Sequence, residues 1–331
     1  MPDPAGKAWR ISPGLGFLVL CFLGLAQEAR AQAWPDRPVR IVVPFAAGGT
    51  TDVLARVLAE RLAIRLGQPV IIENIGGAGG NAGAATVANA RPDGTVFLMS
   101  TPGPAVMNQF LYSKMPYDTG NAFTPVVLVA TIPSVLILNP AVEAKTLANF
   151  GELLRAKPGA LNFGSAGNGS TGHLGGAMLT KAFGASAQHV PYRGSAPMLA
   201  DLVGGQIQFT IDSLPGAIGL IRAGTVRALA VTSTSRLADL PGVPTFAEQG
   251  MPQLGLSTWV ALLAPAGTPP AIIERMNAEA NMALADPALR AKFTELGASV
   301  EGRAPADLSA FLKTETGKWK QAIDLAGARI E

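Results

Sequence analysis

The chain has 331 residues, 48% of them hydrophobic, with one cysteine and a formal net charge of +3. A charge so close to balance predicts neither a nucleic-acid binder nor a basic membrane-surface protein, and the length suits two domains or one large one. A single thiol, Cys21, excludes a disulfide framework and a cysteine-based metal site.

At the start of the chain Lys7 and Arg10 precede the apolar stretch Leu15 to Ala26, which ends near Ala29-Arg30-Ala31. That is the pattern of a secretory signal peptide, too short for a membrane span. Residues 1–31 are assigned to it, with cleavage after Ala31 or Ala33, since both sites satisfy the small-x-small rule. Cys21 falls inside this leader, so the exported chain carries no thiol. No later stretch is apolar and long enough to span a bilayer, which predicts a soluble mature protein.

The β-rich run Val39 to Phe45 predicts a strand, and the periodic segment Thr51 to Leu66, stopped by Gly67, predicts a helix. Val70 to Glu73 and Thr95 to Ser100 predict further strands, separated by the turn Gly76 to Asn81 and an alanine-rich helix. This alternation of short apolar strands with helices predicts a mainly parallel sheet flanked by helices, an α/β lobe. The run Val126 to Leu138 predicts a strand crossing between lobes. A second α/β series follows, with helices at Leu147 to Ala156, Leu174 to Phe183, Pro197 to Val203 and Ala217 to Arg222. Strands at Leu161 to Phe163, His189 to Pro191, Ile207 to Ile211 and Arg227 to Thr232 alternate with them. A return strand, Thr258 to Ala264, and helices starting at Pro270, Pro287 and Pro305 are expected to pack back on the first lobe. Two crossovers imply a hinge, with residues 34–130 and 256–331 in lobe 1 and residues 131–255 in lobe 2.

Gly48 and Gly49 stand just before the first helix, where the N–H groups of the opening turn lack intrahelical partners. With the helix dipole and the hydroxyls of Thr50 and Thr51 they suit a small anion, while Asp52 suits either the ligand site or an internal cap. A phosphate loop is excluded, because Thr51-Asp52 stands where a lysine followed by Ser or Thr is required. The turn Gly77 to Ala82 approaches a dinucleotide fingerprint, but the stretch about twenty residues on offers no acidic residue for a ribose. It is read as close helix packing or a loop bordering a cleft. Asn162 to Leu179 repeats the opening feature: Ser165, Ala166, Asn168, Gly169, Ser170 and Thr171 form a second donor-rich turn between a strand and a helix. His173 is read as a packed or capping histidine. With His189 the only other histidine, a zinc site is improbable, and no G-x-S-x-G elbow surrounds Ser165 or Ser170. Arg193 is a candidate carboxylate partner or a surface ion pair, and Tyr192 a cleft or core residue. Asp212 ends a buried strand at the edge where open α/β sheets bind ligands. It suits a ligand ammonium or hydroxyl, or a helix cap.

The segments "WPDRPVRIVVPFAAGGTTDVLAR", "NFGSAGNGSTGHLGGAML", "YRGSAPMLADLVGGQI", "RAGTVRALAVTSTSRLADLPGVPTFAEQG" and "APAGTPPAIIERMN" run in order along nearly the whole mature chain. In these the sequence resembles the Bug family, the extracytoplasmic solute receptors of tripartite tricarboxylate transporter systems. The resemblance implies a periplasmic two-lobed receptor of the type II binding-protein fold whose lobes close on a small carboxylate. It implies delivery to integral membrane transporter subunits, no cofactor, no metal and no catalysis, and the mature chain is expected to be monomeric. A periplasmic sensor subunit and a secreted hydrolase are the alternatives. Carried onto this chain, Gly48, Gly49, Thr50, Thr51 and Asp52 and the turn from Ser165 to Thr171 would hold the ligand. Tyr192, Arg193, Asp212 and Ser213 would border its distal end.

Overall fold

The computed structural model describes Met1, residues 34–327 and Arg329; the expected signal peptide lies outside the described residues. The opening strand β1 (Val39–Val43) is buried at every position but Arg40. It leads through Gly49, an extended N-cap, into helix α1 (Thr50–Leu66), which stops on Gly67 at a left-handed φ of 65°. Leu54, Leu58 and Leu62 recur along one buried face of α1, the spacing of an amphipathic helix. Strand β2 (Val70–Asn74), helix α2 (Asn81–Ala88) and strand β3 (Val96–Ser100) complete the opening α/β series.

Strands β4 (Phe123–Ile132) and β5 (Ser134–Leu138) follow on either side of Pro133. The second series comprises α3 (Leu147–Ala156), β6 (Asn162–Ser165), α4 (Thr171–Ala182), β7 (Gln188–Pro191), α5 (Ser195–Val203), β8 (Phe209–Ser213), α6 (Leu214–Arg222) and β9 (Arg227–Val231). The chain then returns through β10 (Thr258–Pro265), α7 (Pro270–Leu284), α8 (Pro287–Glu295), β11 (Ser299–Val300) and α9 (Pro305–Ala326).

Two sheets result, one ordered β11-β4-β10-β3-β1-β2 and the other β7-β6-β8-β5-β9. Both are mixed, which corrects the expectation of mainly parallel sheets. β1 pairs in parallel with β2 and β3, and β6 with β7 and β8, but β10 and β5 run antiparallel to both their neighbours. The antiparallel strands are those next to the interlobe crossings, so they enter their sheets without a helical crossover to set their direction. The run Val126 to Leu138 is likewise two strands in different sheets. Pro133 has no N–H for a ladder and breaks the run where the chain changes lobe. At this crossing the Ser134 N–H donates to Thr232 Oγ1 at 2.8 Å and the Thr232 N–H to the Ser134 carbonyl at 2.9 Å. Thr232 Oγ1 lies 3.4 Å from Ser257 Oγ, so the crossing segments are joined side by side.

Each sheet packs helices on one face over a core of its own: Leu54, Leu58, Phe97, Met276 and Phe293 in the first lobe, and Val135, Met198, Leu202 and Ile218 in the second. A third core runs through both lobes, joining Phe163, Leu174 and Phe209 to Trp259, Leu263 and Trp319. Helix α9 forms this bridge: it packs on β4 and also on α4, not on the first lobe alone. Its buried Glu315 accepts from the indole N–H groups of Trp259 and Trp319, each at 2.8 Å.

Candidate functional site

Four helices begin at the space between the lobes, because each follows a strand or turn that ends there in small polar residues. The starts are Gly49-Thr50-Thr51 of α1, Ser170-Thr171-Gly172 of α4, Ser195 of α5, and Asp212-Ser213 leading into α6. Together they line a cavity, completed by Phe45, Thr101, Ile132, Ala166 and the β10 residues Thr258, Trp259 and Val260. About 40 Å³ within it is open to the centres of water-sized atoms, against the roughly 10–15 Å³ that one water needs. That suits a compact ligand and leaves no room for a nucleotide.

Among the described residues no lysine, arginine or histidine lines this cavity. Its positive potential comes from the helix ends, whose first-turn N–H groups carry the partial charge of the macrodipole. Among the described residues, the hydroxyls of Thr51, Thr101, Thr171, Ser213 and Thr258 bond to no other side chain or backbone group. Ser170 Oγ accepts the His173 N–H at 3.3 Å as the N-cap of α4 and keeps its own proton to donate. The one ionisable group in the lining is Asp212. Its Oδ1 accepts from Ser195 Oγ at 2.9 Å, while Oδ2 is buried without a partner among the described residues. Burial pushes the Asp212 carboxyl up to about 6 despite that bond and a backbone N–H at Ser213.

Of the expected site residues, Gly49, Thr50, Thr51, Ala166, Ser170, Thr171, Asp212 and Ser213 meet at this cavity. Gly48, Asp52, Ser165 and Gly169 do not line it. Asp52 is turned back into its own lobe: Oδ2 accepts from the Gly48 N–H at 2.8 Å and from Arg56, and Oδ1 accepts from Asn74 Nδ2 at 3.0 Å. Burial acts to raise its pKa, but these bonds and the Arg56 guanidinium outweigh it and hold the carboxyl below the ordinary value. The aspartate that would oppose an anion is thus spent on the turn's geometry. Ser165 is a brace, with its Oγ 2.7 Å from His189 Nε2 and 3.0 Å from the Gly167 carbonyl. The Gly169 N–H donates to His173 Nδ1 at 3.3 Å.

His173 and His189 stack beneath this loop at 4.1 Å between ring centroids. Burial pushes His173 down to about 4; burial, then the neighbouring His173, push His189 down to about 3. Their folded-state values lie below the ordinary value, so their stabilisation is complete above about pH 6.5 and is lost as pH falls through about 4. We expect the thermal midpoint to drop between pH 7 and pH 4.5, and to drop less in His189→Gln. An equal drop in both proteins would contradict this assignment.

Beyond Phe45 and Ala166 lies a second, outer chamber of about 290 Å³. Gly77 to Gly80 line it opposite Asn168, Tyr192 and Arg193, so the dinucleotide-like turn is a cleft border. Arg193 is exposed at this rim, and the Tyr192 hydroxyl donates to Asp201 at 2.7 Å. Around the chambers the lobes meet through hydrogen bonds to backbone carbonyls. The Ala46 N–H donates to the Arg193 carbonyl at 3.0 Å, and the Tyr112 hydroxyl to the Asn168 carbonyl at 2.7 Å. The structure is therefore a shut form. Phe45, Thr101, Ile132, Ser195, Thr258 and Trp259 were not among the expected site residues. Ser195 carries the signal of a polar residue at a helix start, whereas only the return of β10 between β3 and β4 brings Thr258 and Trp259 to the cleft.

The model of the tripartite tricarboxylate transporter family receptor matches residues 54–327. The chain belongs to this family. Protein BugT of Bordetella pertussis is 37% identical over 313 residues, 93% of this chain and 95% of that protein. Among solved structures, Rpa4515 of R. palustris with adipate has a TM-score of 0.87 at 38% identity, covering 90% of this chain and 100% of that one. MatC from Rhodopseudomonas palustris with bound malate has a TM-score of 0.85 at 35% identity, covering 88% of this chain and 100% of that one. The two-lobed α/β architecture is that of periplasmic tripartite tricarboxylate transporter receptors, and the protein is a periplasmic solute-binding receptor of this family. Among the described residues no group of three or more His, Cys, Asp or Glu is placed to hold a metal, and no helix is long and apolar enough to cross a membrane.

Proposed function

We propose that this receptor captures a small organic carboxylate in the inner cavity and delivers it to the integral membrane subunits of a tripartite tricarboxylate-type transporter. The observation that carries this reading is the convergence of four helix N-termini on one cavity that, among the described residues, no basic side chain lines. Neutral N–H and O–H donors hold a carboxylate without the full strength of an arginine pair and leave it exchangeable, as delivery requires. The adipate and malate named for the two solved relatives are both small dicarboxylates and support this class.

In this reading the mature chain starts after Ala31 or Ala33, acts as a monomer and performs no chemistry. Residues 34–130 and 256–331 close against residues 131–255 by a hinge at the Ser134–Thr232–Ser257 junction, with ligand contacts to both sides stabilising the shut state. Gly49, Thr50, Thr51, Ser170 and Thr171 contact the bound carboxylate. Tyr192 and Arg193 border the outer chamber, and Gly48, Asp52, Ser165, Asn168 and Gly169 shape the turns.

Calorimetric titration of the mature protein with C4 to C6 dicarboxylates tests this. We expect saturable one-to-one binding, weakened in Thr51→Val by about 1.5–3 kcal/mol, the usual loss for a hydrogen bond to a charged group. The thermal midpoint of the unliganded variant should match that of the wild type. Absence of binding to any acid in the series, or full affinity in the variant, would count against the site.

A further inference from the structure

A cavity built from helix ends to receive an anion contains one ionisable side chain, and it is itself an acid. Asp212 and a ligand carboxylate shut into the same small space are like charges with little water between them, and two such groups do not both stay ionised. We propose that Asp212 meets the ligand as a neutral carboxylic acid, so that capture of the carboxylate is accompanied by uptake of one proton. This rests on the reading of the cavity as a carboxylate site and adds to it the protonation state in which that site works.

The geometry has a place for the proton. Oδ1 is already an acceptor for Ser195 Oγ, whereas Oδ2 is buried with no partner among the described residues. The other unpartnered buried oxygen at this point is Thr50 Oγ1, which belongs to the opposite lobe. A Cβ on Gly216 would lie 3.0 Å from Thr50 Oγ1 and 3.4 Å from Asp212 Oδ2, so both oxygens border the space that Gly216 leaves open, without bonding to one another. A carboxylate oxygen buried without a partner carries an uncompensated desolvation cost when ionised, and a proton on Oδ2 removes that charge and supplies a donor for a ligand oxygen.

No neighbouring charge offers another remedy. On α1, Asp52 and Arg56 pair with each other; on α4, His173 is neutral at ordinary pH. On α5, Asp201 accepts from Tyr192; on α6, Arg222 pairs with Asp239. Arg193, ahead of α5, is exposed at the rim of the outer chamber. The flanking strands β5 and β6 carry no ionisable residue. The raised Asp212 value, about 6 in the shut form without any ligand charge, agrees with this arrangement, and a bound carboxylate moves it further up.

The sign follows from linkage. With the lobes apart, water reaches Asp212 and its pKa returns toward about 3.9, the ordinary aspartate value. The shut, liganded form has the higher pKa, so the gain in affinity is complete below the open-form value and is lost as pH rises through the shut-form value.

The test is calorimetric titration of the mature protein with succinate and with adipate at pH 6, in two buffers of different ionisation enthalpy. Wild type and Asp212→Asn are compared, and the ligand's own protonation cancels in the difference. We expect wild type to take up between about one half and one proton more than the variant, and its affinity to fall between pH 5 and pH 8 more steeply than the variant's. Equal proton numbers would overturn the proposal. That result, joined to much tighter binding of malate or aspartate than of succinate, would mean that an ionised Asp212 receives a ligand hydroxyl or ammonium. Should the variant not fold, zero net uptake by wild type after subtraction of the ligand's own protons overturns the proposal equally. Failure of both acids to bind either protein at any pH would overturn the carboxylate reading itself, a result distinct from binding without proton uptake.

Discussion

Gly79→Ala is expected to abolish ligand capture while leaving the chain folded. Gly79 sits in the cleft-border turn at a left-handed φ of 62°, and a methyl group built on it runs into the Asn168 carbonyl of the opposite lobe. Within its own lobe the cost is the left-handed conformation of an alanine, about 1–2 kcal/mol. The clash with Asn168 arises only when the lobes are shut, and because the obstacle is backbone it cannot be relieved by rotating a side chain. The variant should therefore favour the open form, and affinity for a carboxylate should fall at least about a hundredfold, roughly 2.7 kcal/mol. Titration calorimetry reads the loss, and circular dichroism checks that the secondary structure is retained. Affinity within twofold of wild type would mean that the shut form seen here is not the one that holds ligand.

Trp319→Ala should have the largest effect on stability. Its ring is 1% exposed in the core shared by both lobes, and its indole donates to the buried Glu315 that also accepts from Trp259 of the cleft strand. Truncation removes the ring and leaves a cavity that neighbours on two sheets and α4 cannot fill together, at a cost of about 3–5 kcal/mol. Urea unfolding should show the midpoint lowered by a corresponding amount. A loss below about 1 kcal/mol would mean that α9 is a peripheral strap and not part of the interlobe core.

Much of this was legible in the sequence, and where it was not the reasons are physical. The apolar strands and the helix ends at Gly67, Pro270, Pro287 and Pro305 follow from periodicity and capping chemistry, and the structure places them where these signals stand. Helix starts were harder. Periodicity begins at the first apolar residue, so Leu174, Pro197 and Ala217 were the expected starts, whereas the helices begin at Thr171, Ser195 and Leu214. The polar opening turns that periodicity misses are the ones that line the cavity. Sheet direction was the other gap, since apolar runs buried on both faces read alike in parallel and antiparallel sheets. Of the expected donor-rich turns, Gly48 to Asp52 and Ser165 to Thr171, only Gly49 to Thr51, Ala166 and Ser170 to Thr171 line the cavity. Asp52 and Ser165, chemically indistinguishable from ligand groups in the sequence, are consumed by Arg56, one helical turn from Asp52, and by Asn74 and His189, which only the fold brings near.

The most direct test of carboxylate capture by helix ends is a crystal structure of the mature protein with the organic acid that raises its thermal midpoint most. Shut lobes are expected, with carboxylate oxygens accepting from N–H or hydroxyl groups of both the Thr50-Thr51 and the Ser170-Thr171 turns and no lysine or arginine in contact. An acid bound outside this cavity, or held by Arg193 with the helix ends unoccupied, would contradict it.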